Sequence, residues 1–197
     1  MPSGKSKNPR AKKTGALFRG RSAPVHRVGL RKQAREGRLI QLERGVYRVA
    51  GAPLESHEDL ALVALRKPEA VVCLLSALRY HEFTTESPGS VWIAVENHSR
   101  PPRMESLQLR VHYFSGPAFH EGVEEHLIAG VPVKIYCAAK TVADCFKFRN
   151  QIGTKIAVEA LREAWQKKKV TSEDLYRYAR VCRVLNVMRP YLEGMLE

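Results

Sequence analysis

The sequence predicts an α+β protein with a basic, winged-helix-like head and a larger, nearly neutral body. Residues 1–50 hold 14 of the 33 Lys and Arg but only two acids, Glu36 and Glu43, so they carry +12 of the net charge of +13. The apolar spacing changes from helical to alternating after Val91 and returns to helical near Thr141. A basic head of this kind is typical of proteins that bind a polyanion. A ribosome-like or merely solubilising tail is the alternative on charge alone.

The head divides into a flexible arm and a folded segment. Residues 1–14 lack apolar periodicity and predict a flexible basic arm, whereas residues 15–51 hold a short helix that ends at Gly37 and a hairpin with a tip at 43–45. A basic helix followed by a basic hairpin is the second half of a winged helix-turn-helix, in which the helix enters the major groove and the hairpin lies along the backbone. An ordinary surface helix and hairpin would look similar but would not need so many arginines. The candidate DNA-binding residues are Arg27, Arg31, Lys32, Arg35, Arg38, Arg44 and Arg48.

The body, residues 52–197, follows a break at Gly51-Ala52-Pro53. Four alternating runs predict one small antiparallel sheet; they lie at 91–95, 107–114, 125–128 and 131–136. Helical spacing then predicts a series of C-terminal helices. The whole chain is therefore expected to be a winged-helix-like domain joined to an α+β domain.

The sequence offers no catalytic motif. It lacks a glycine-rich phosphate loop, a GxSxG or HExxH motif, a Glu-x-Lys triplet and paired aspartates after Gly89-Ser90, so we do not expect an enzyme. The four cysteines stand singly among apolar neighbours, which predicts buried, inert thiols with no metal and no cofactor. Without an apolar membrane span or secretory signal, we expect a cytoplasmic protein that does not enter a membrane.

One further group of charged residues lies in a single helical segment: Lys140, Asp144, Lys147 and Arg149. Long charged side chains are rarely buried, so we expect the three cations to be exposed. Asp144 and Lys147 stand at i, i+3 and are expected to pair on the helix surface. The segment is either a polar patch for a protein or nucleic-acid partner or simply the solvated face of a helix.

Four segments resemble the AbiEi-type antitoxins and predicted regulators of phage-defence systems: RGVYR at 44–48, CLLSALRYH at 73–81, AKTVADCFKFR at 139–149 and VMRPYLE at 187–193. The resemblance covers about residues 15–196. It implies an N-terminal winged helix, a C-terminal α+β antitoxin domain, and repression of a two-gene operon through inverted-repeat operators in double-stranded DNA. It also implies a nucleotidyltransferase toxin as functional partner, neutralised without a stable complex (the type IV arrangement). Toxin neutralisation would fall to the body, and Lys140, Asp144, Lys147 and Arg149 are the candidate antitoxin patch.

The head departs from a full winged helix in one respect. Two further helices normally precede the recognition helix, and residues 15–25 offer at most a turn or two, so we expect a shortened head with the arm compensating. The rival hypothesis is a module without operator specificity whose head binds RNA or an acidic protein. RNA readers usually expose aromatic rings for stacking, and the first 50 residues hold only Phe18 and Tyr47.

Overall fold

The structure, a computed structural model, describes residues 16–21, 27–86 and 88–196. The predicted basic arm at 1–14 lies outside these residues. Within them the chain forms two β-sheets and nine helices. None of the helices in these ranges combines the length and apolar character that a membrane crossing requires.

The head is a three-stranded antiparallel sheet with one helix, α1 (Arg27–Arg35), packed on it. The strands β1 (Leu17–Arg19), β2 (Leu39–Glu43) and β3 (Val46–Val49) lie in the order β1-β3-β2. Helix α1 places Leu30 and Ala34 against Leu39 and Tyr47, because these residues recur on one face of the helix. The predicted helix and hairpin are confirmed, whereas the winged helix-turn-helix stays a prediction.

Two glycines make the turns of the head. Gly37 has φ +72° directly after α1, and the neighbouring Arg38 amide donates to the Gln33 carbonyl at 2.9 Å, so the helix ends there. Gly45 has φ +78° at the tip between β2 and β3. Residues that carry a side chain rarely adopt this left-handed backbone conformation, which is why glycine occupies both turns.

The sheet of the body differs from the predicted antiparallel one. It has five strands in the order β6-β5-β4-β8-β7 and is mixed: β5 pairs with β6, and β4 with β8, in parallel. These strands are β4 (Val71–Val72), β5 (Val91–Glu96), β6 (Leu109–Phe114), β7 (Val123–Ile128) and β8 (Val131–Tyr136). Only the β4–β5 and β7–β8 pairs are antiparallel. Strand β4 is too short to give a periodic signal, and it lies between β5 and β8 in the centre of the sheet.

Helices cover one face of this sheet in a large apolar core. The helices of the body are α2 (Glu58–Arg66), α3 (Leu74–Tyr80), α4 (Pro117–His120), α5 (Ala138–Lys147), α6 (Arg149–Ile152), α7 (Thr154–Gln166), α8 (Ser172–Val181) and α9 (Leu185–Leu196). Helix α5 lies at the centre of this layer and is buried from Ala139 to Phe146. Its position determines what its charged residues can reach.

The other face of the large sheet meets α2 and the head. Leu17 and Val46 of the small sheet share an apolar core with Leu60 of α2 and with Ile93 and Ile135 of the large sheet. Contacts therefore cross the predicted boundary at residue 51. Removing the head would uncover this shared core.

Candidate nucleic-acid interface

Five arginines line a cleft of about 830 Å³ between the head and the end of α2. We refer to it as the arginine cleft; its cations are Arg19, Arg21, Arg31, Arg44 and Arg66. Among the described residues, no acidic side chain lies within ion-pairing distance of any of them. The cleft therefore presents a cluster of positive charge without close ion pairs in the described part of the chain, and Arg66 also interacts electrostatically with the carboxylate of Glu43.

Four separate segments bring these arginines together. Arg19 and Arg21 flank Gly20, whose amide donates to the Gly45 carbonyl at 2.8 Å and so ties the end of β1 to the hairpin tip that carries Arg44. The Arg19 guanidinium donates to the backbone carbonyl of Arg66 at 3.2 Å, which joins the head to the end of α2. Hydrogen bonds to two backbone carbonyls, one at the hairpin tip and one at the end of α2, therefore connect the walls of the cleft.

Apolar side chains form the floor of the arginine cleft. Leu30, Val46 and Tyr47 line it and are themselves buried. A side chain at Gly20 would place its Cβ 3.1 Å from both Leu30 Cδ1 and Tyr47 Cε2, so this wall already lies in close contact with the floor. The guanidinium groups beside this floor are the groups that suit phosphate binding.

The outer surface of α1 carries further cations. Arg31, Lys32 and Arg35 are exposed, as the spacing predicts, and the side chain of Arg27 lies outside the described residues. Glu36 lies 3.9 Å from Lys32 and 3.6 Å from Arg38, and these exposed pairs are too solvated to withdraw the charge. Of the predicted residues, the structure therefore groups Arg31, Lys32, Arg35, Arg38 and Arg44 on exposed parts of the head.

Arg48 does not belong to this exposed group. Its side chain is only 8% exposed; Nε lies 3.2 Å from Glu58 Oε2, and the guanidinium donates to the Ala52 carbonyl at 2.7 Å. The reason is that Arg48 lies on the same face of β3 as Val46, which packs in the apolar core shared with α2. The expectation that Arg48 contacts phosphate is wrong for this position, because the side chain joins the head to α2.

The buried carboxylate of Glu43 anchors the hairpin to the body. Its Oε1 accepts hydrogen bonds from the Ser106 amide at 2.7 Å, the Ser106 hydroxyl at 2.6 Å and the Glu105 amide at 2.9 Å. Burial raises the pKa of Glu43, but these hydrogen bonds outweigh burial and hold the pKa below its ordinary value. The hairpin is therefore fixed in position by an ionised group.

The predicted patch on α5 is not a surface patch. Lys140 and Asp144 are completely buried, and Lys140 Nζ lies 2.6 Å from Asp144 Oδ2. The expectations that Lys140 is exposed and that Asp144 pairs with Lys147 are both wrong, because apolar packing covers α5 on every side. Lys147 is exposed and Arg149 half-buried, and Arg149 donates to the Phe146 carbonyl at 2.9 Å.

The surroundings of the buried pair explain how a charge is held there. Lys140 Nζ lies 4.0 Å from the centre of the Tyr136 ring, and the Cys182 thiol donates to Asp144 Oδ1 at 3.2 Å. Burial raises the pKa of Asp144, and the ammonium of Lys140 opposes that effect. This arrangement is a closed ion pair inside the core, with no path by which a partner protein could touch it.

The sequence did not single out Arg19, Arg21 or Arg66 as site residues. Arg19 and Arg21 entered only the count of basic residues, and Arg66 ends a helix of the nearly neutral body. Arg19 and Arg66 are 47 residues apart in the chain, and a contact across that separation leaves no local signal.

A scan against models of protein families and a search of curated proteins found no match for this chain. In the part of the chain that the structure describes, no three His, Cys, Asp or Glu side chains are grouped to hold a metal ion. The family resemblance of the four sequence segments therefore remains a hypothesis.

Proposed function

We propose that this protein binds double-stranded DNA through its head and represses transcription. The single observation that carries the proposal is the group of exposed cations on α1 and at the hairpin tip, beside the arginine cleft. Each phosphate that such cations neutralise releases counterions from the duplex, which is a strong source of affinity. The inverted-repeat operator and the two-gene operon come from the resemblance alone.

The proposed contacts follow from the geometry of α1 and the hairpin. An α-helix fits the major groove of B-DNA, and α1 points Arg31, Lys32 and Arg35 away from its buried Leu30. Arg44 at the hairpin tip and Arg38 before β2 are exposed beside it and would contact phosphates. Helix α1 would read the base edges, and the hairpin would contact the DNA backbone.

The aromatic residues of the head favour DNA over RNA as its partner. The rings of Phe18 and Tyr47 stack on each other with centroids 6.1 Å apart, and Tyr47 is only 8% exposed. Both rings therefore serve the packing of the head and are not free platforms for unstacked bases, which sequence-specific RNA readers require.

The antitoxin role is a second part of the proposal and rests on the resemblance. Its functional partner would be a nucleotidyltransferase toxin, neutralised without a stable complex. Because Lys140 and Asp144 lie in the core, the accessible remainder of the predicted patch is Lys147 and the half-buried Arg149.

Fluorescence anisotropy with a labelled duplex and with single-stranded RNA of the same sequence tests the DNA-binding proposal. Arg31→Ala and Arg44→Ala should each weaken duplex binding by about tenfold. Lys155→Ala is the matched control, since Lys155 is 87% exposed on α7 and lies outside the head. Unchanged duplex affinity in both arginine variants, or tighter binding of the RNA than of the duplex, would contradict the proposal.

A further inference from the structure

The arginine cleft has the size and shape of a small-molecule site. Its volume of about 830 Å³ lies within the roughly 300–1,000 Å³ of clefts that enclose small ligands. Duplex DNA is read by protruding elements that enter its grooves, such as a helix or a hairpin. A concavity between the head and α2 is not needed for that contact, so its shape calls for another occupant.

The charge in the cleft matches a chain of phosphates. Guanidinium groups bind phosphate oxygens through two parallel hydrogen bonds, and five of them converge here from four segments of the chain. One phosphodiester carries a single negative charge, whereas a polyphosphate concentrates several charges within a few ångströms. Five cations without a close ion pair among the described residues are best neutralised by the latter, since Glu43, which interacts with Arg66, offsets only part of this charge.

The floor of the cleft adds an apolar surface beside these cations. Leu30, Val46 and Tyr47 line the cleft beside the arginines, and Tyr47, at 8%, is the most exposed of the three. Inorganic phosphate has no group for such a surface, whereas the base and ribose of a nucleotide do. We propose that the arginine cleft binds a nucleoside polyphosphate, with its phosphates on the arginines and its nucleoside against the floor.

The shared arginines link this ligand to DNA. Arg31 and Arg44 belong both to the cleft and to the surface proposed for the duplex, so a bound nucleotide competes with DNA. This consequence rests on the proposed DNA-binding function, whereas nucleotide binding itself does not. The nucleotide would act as an inducer that releases the protein from its operator.

The test uses the intact chain and a fluorescent ATP analogue, mant-ATP, in the absence of DNA. Arg66→Ala and Arg21→Ala should each weaken mant-ATP binding by about tenfold, because each removes a charge-assisted hydrogen bond at the rim of the cleft. Lys155→Ala is the matched control: Lys155 is 87% exposed on α7, outside the head, and does not line the cleft, so the affinity should stay within about twofold. Circular dichroism checks that each variant is folded.

Two further measurements separate the sources of phosphate and the two proposals. Unlabelled ATP should displace mant-ATP at lower concentration than inorganic tripolyphosphate, and ATP should weaken binding of a labelled duplex. No binding of mant-ATP, equal losses in Arg66→Ala and Lys155→Ala, or equal displacement by ATP and tripolyphosphate would overturn the inference. Duplex binding without mant-ATP binding refutes only the nucleotide site, and the reverse result refutes only the DNA-binding function.

Discussion

Replacing Lys140 by Met tests the buried ion pair of α5. Both side chains are completely buried, with Lys140 Nζ 2.6 Å from Asp144 Oδ2, so the change leaves a buried carboxylate without its cation. Met nearly matches the length of Lys, and the main loss is therefore electrostatic. Removing one partner of a buried pair costs about 3–5 kcal/mol of unfolding free energy. A chain of this size should then melt roughly 10 °C lower.

Urea unfolding followed by circular dichroism measures this loss. Lys147→Met is the matched control, because Lys147 is an exposed lysine of the same helix and its replacement should change stability by less than about 0.5 kcal/mol. Asp144→Asn and the double variant Lys140→Met/Asp144→Asn complete a double-mutant cycle. We expect a coupling free energy of about 1–3 kcal/mol, with the double variant more stable than the sum of the single losses predicts.

The reasoning fails if Lys140→Met costs less than about 1 kcal/mol, which is the range of exposed pairs. A coupling near zero would likewise mean that Lys140 and Asp144 do not stabilise each other in the folded protein.

Three other predictions concern the anchor of the hairpin, the packing around Lys140 and the antitoxin role. Glu43→Gln should lower the free energy of unfolding by about 1–2 kcal/mol at neutral pH. Because the pKa of Glu43 is lowered in the folded state, the difference in unfolding free energy between wild type and variant, measured with urea, should become smaller as the pH falls through that pKa. Gly122→Ala should lower the thermal midpoint, since Gly122 has φ +74° and a Cβ there would lie 2.8 Å from Lys140 Cβ. Lys147→Ala/Arg149→Ala should fold and repress a reporter yet rescue growth poorly when the toxin is induced; full rescue would exclude these two side chains as the antitoxin site.

Local sequence patterns were enough to predict the helix and hairpin of the head. The apolar positions Leu30 and Ala34 set the buried face of α1, and Gly37 and Gly45 set its end and the hairpin tip. These features depend on residues within a turn or two of one another, so the sequence carries them directly. The large sheet depends on strands far apart in the chain. Strand β4 has only two residues, which is too short for the alternation of apolar and polar residues that predicts a strand.

The charges of α5 were misjudged because their spacing is that of an exposed face. Lys140, Thr141, Asp144 and Lys147 recur at i, i+1, i+4 and i+7, which is the polar stripe of an amphipathic helix. The structure buries that stripe under residues far away in the sequence, such as Cys182, which is why Lys140 and Asp144 form an internal ion pair. The arginine cleft could not be predicted in the same way, because Arg66 meets the head only through the tertiary fold.

The salt dependence of duplex binding by the intact chain tests the central claim most directly. If Arg38 and Arg44 contact phosphates, the logarithm of the affinity should fall against the logarithm of the salt concentration with a slope of about −2 or steeper. Arg38→Ala/Arg44→Ala should make that slope shallower by about two units, while Lys155→Ala leaves it unchanged. A slope near zero in the wild type, or the same slope in the double variant and the control, would contradict DNA binding by the head.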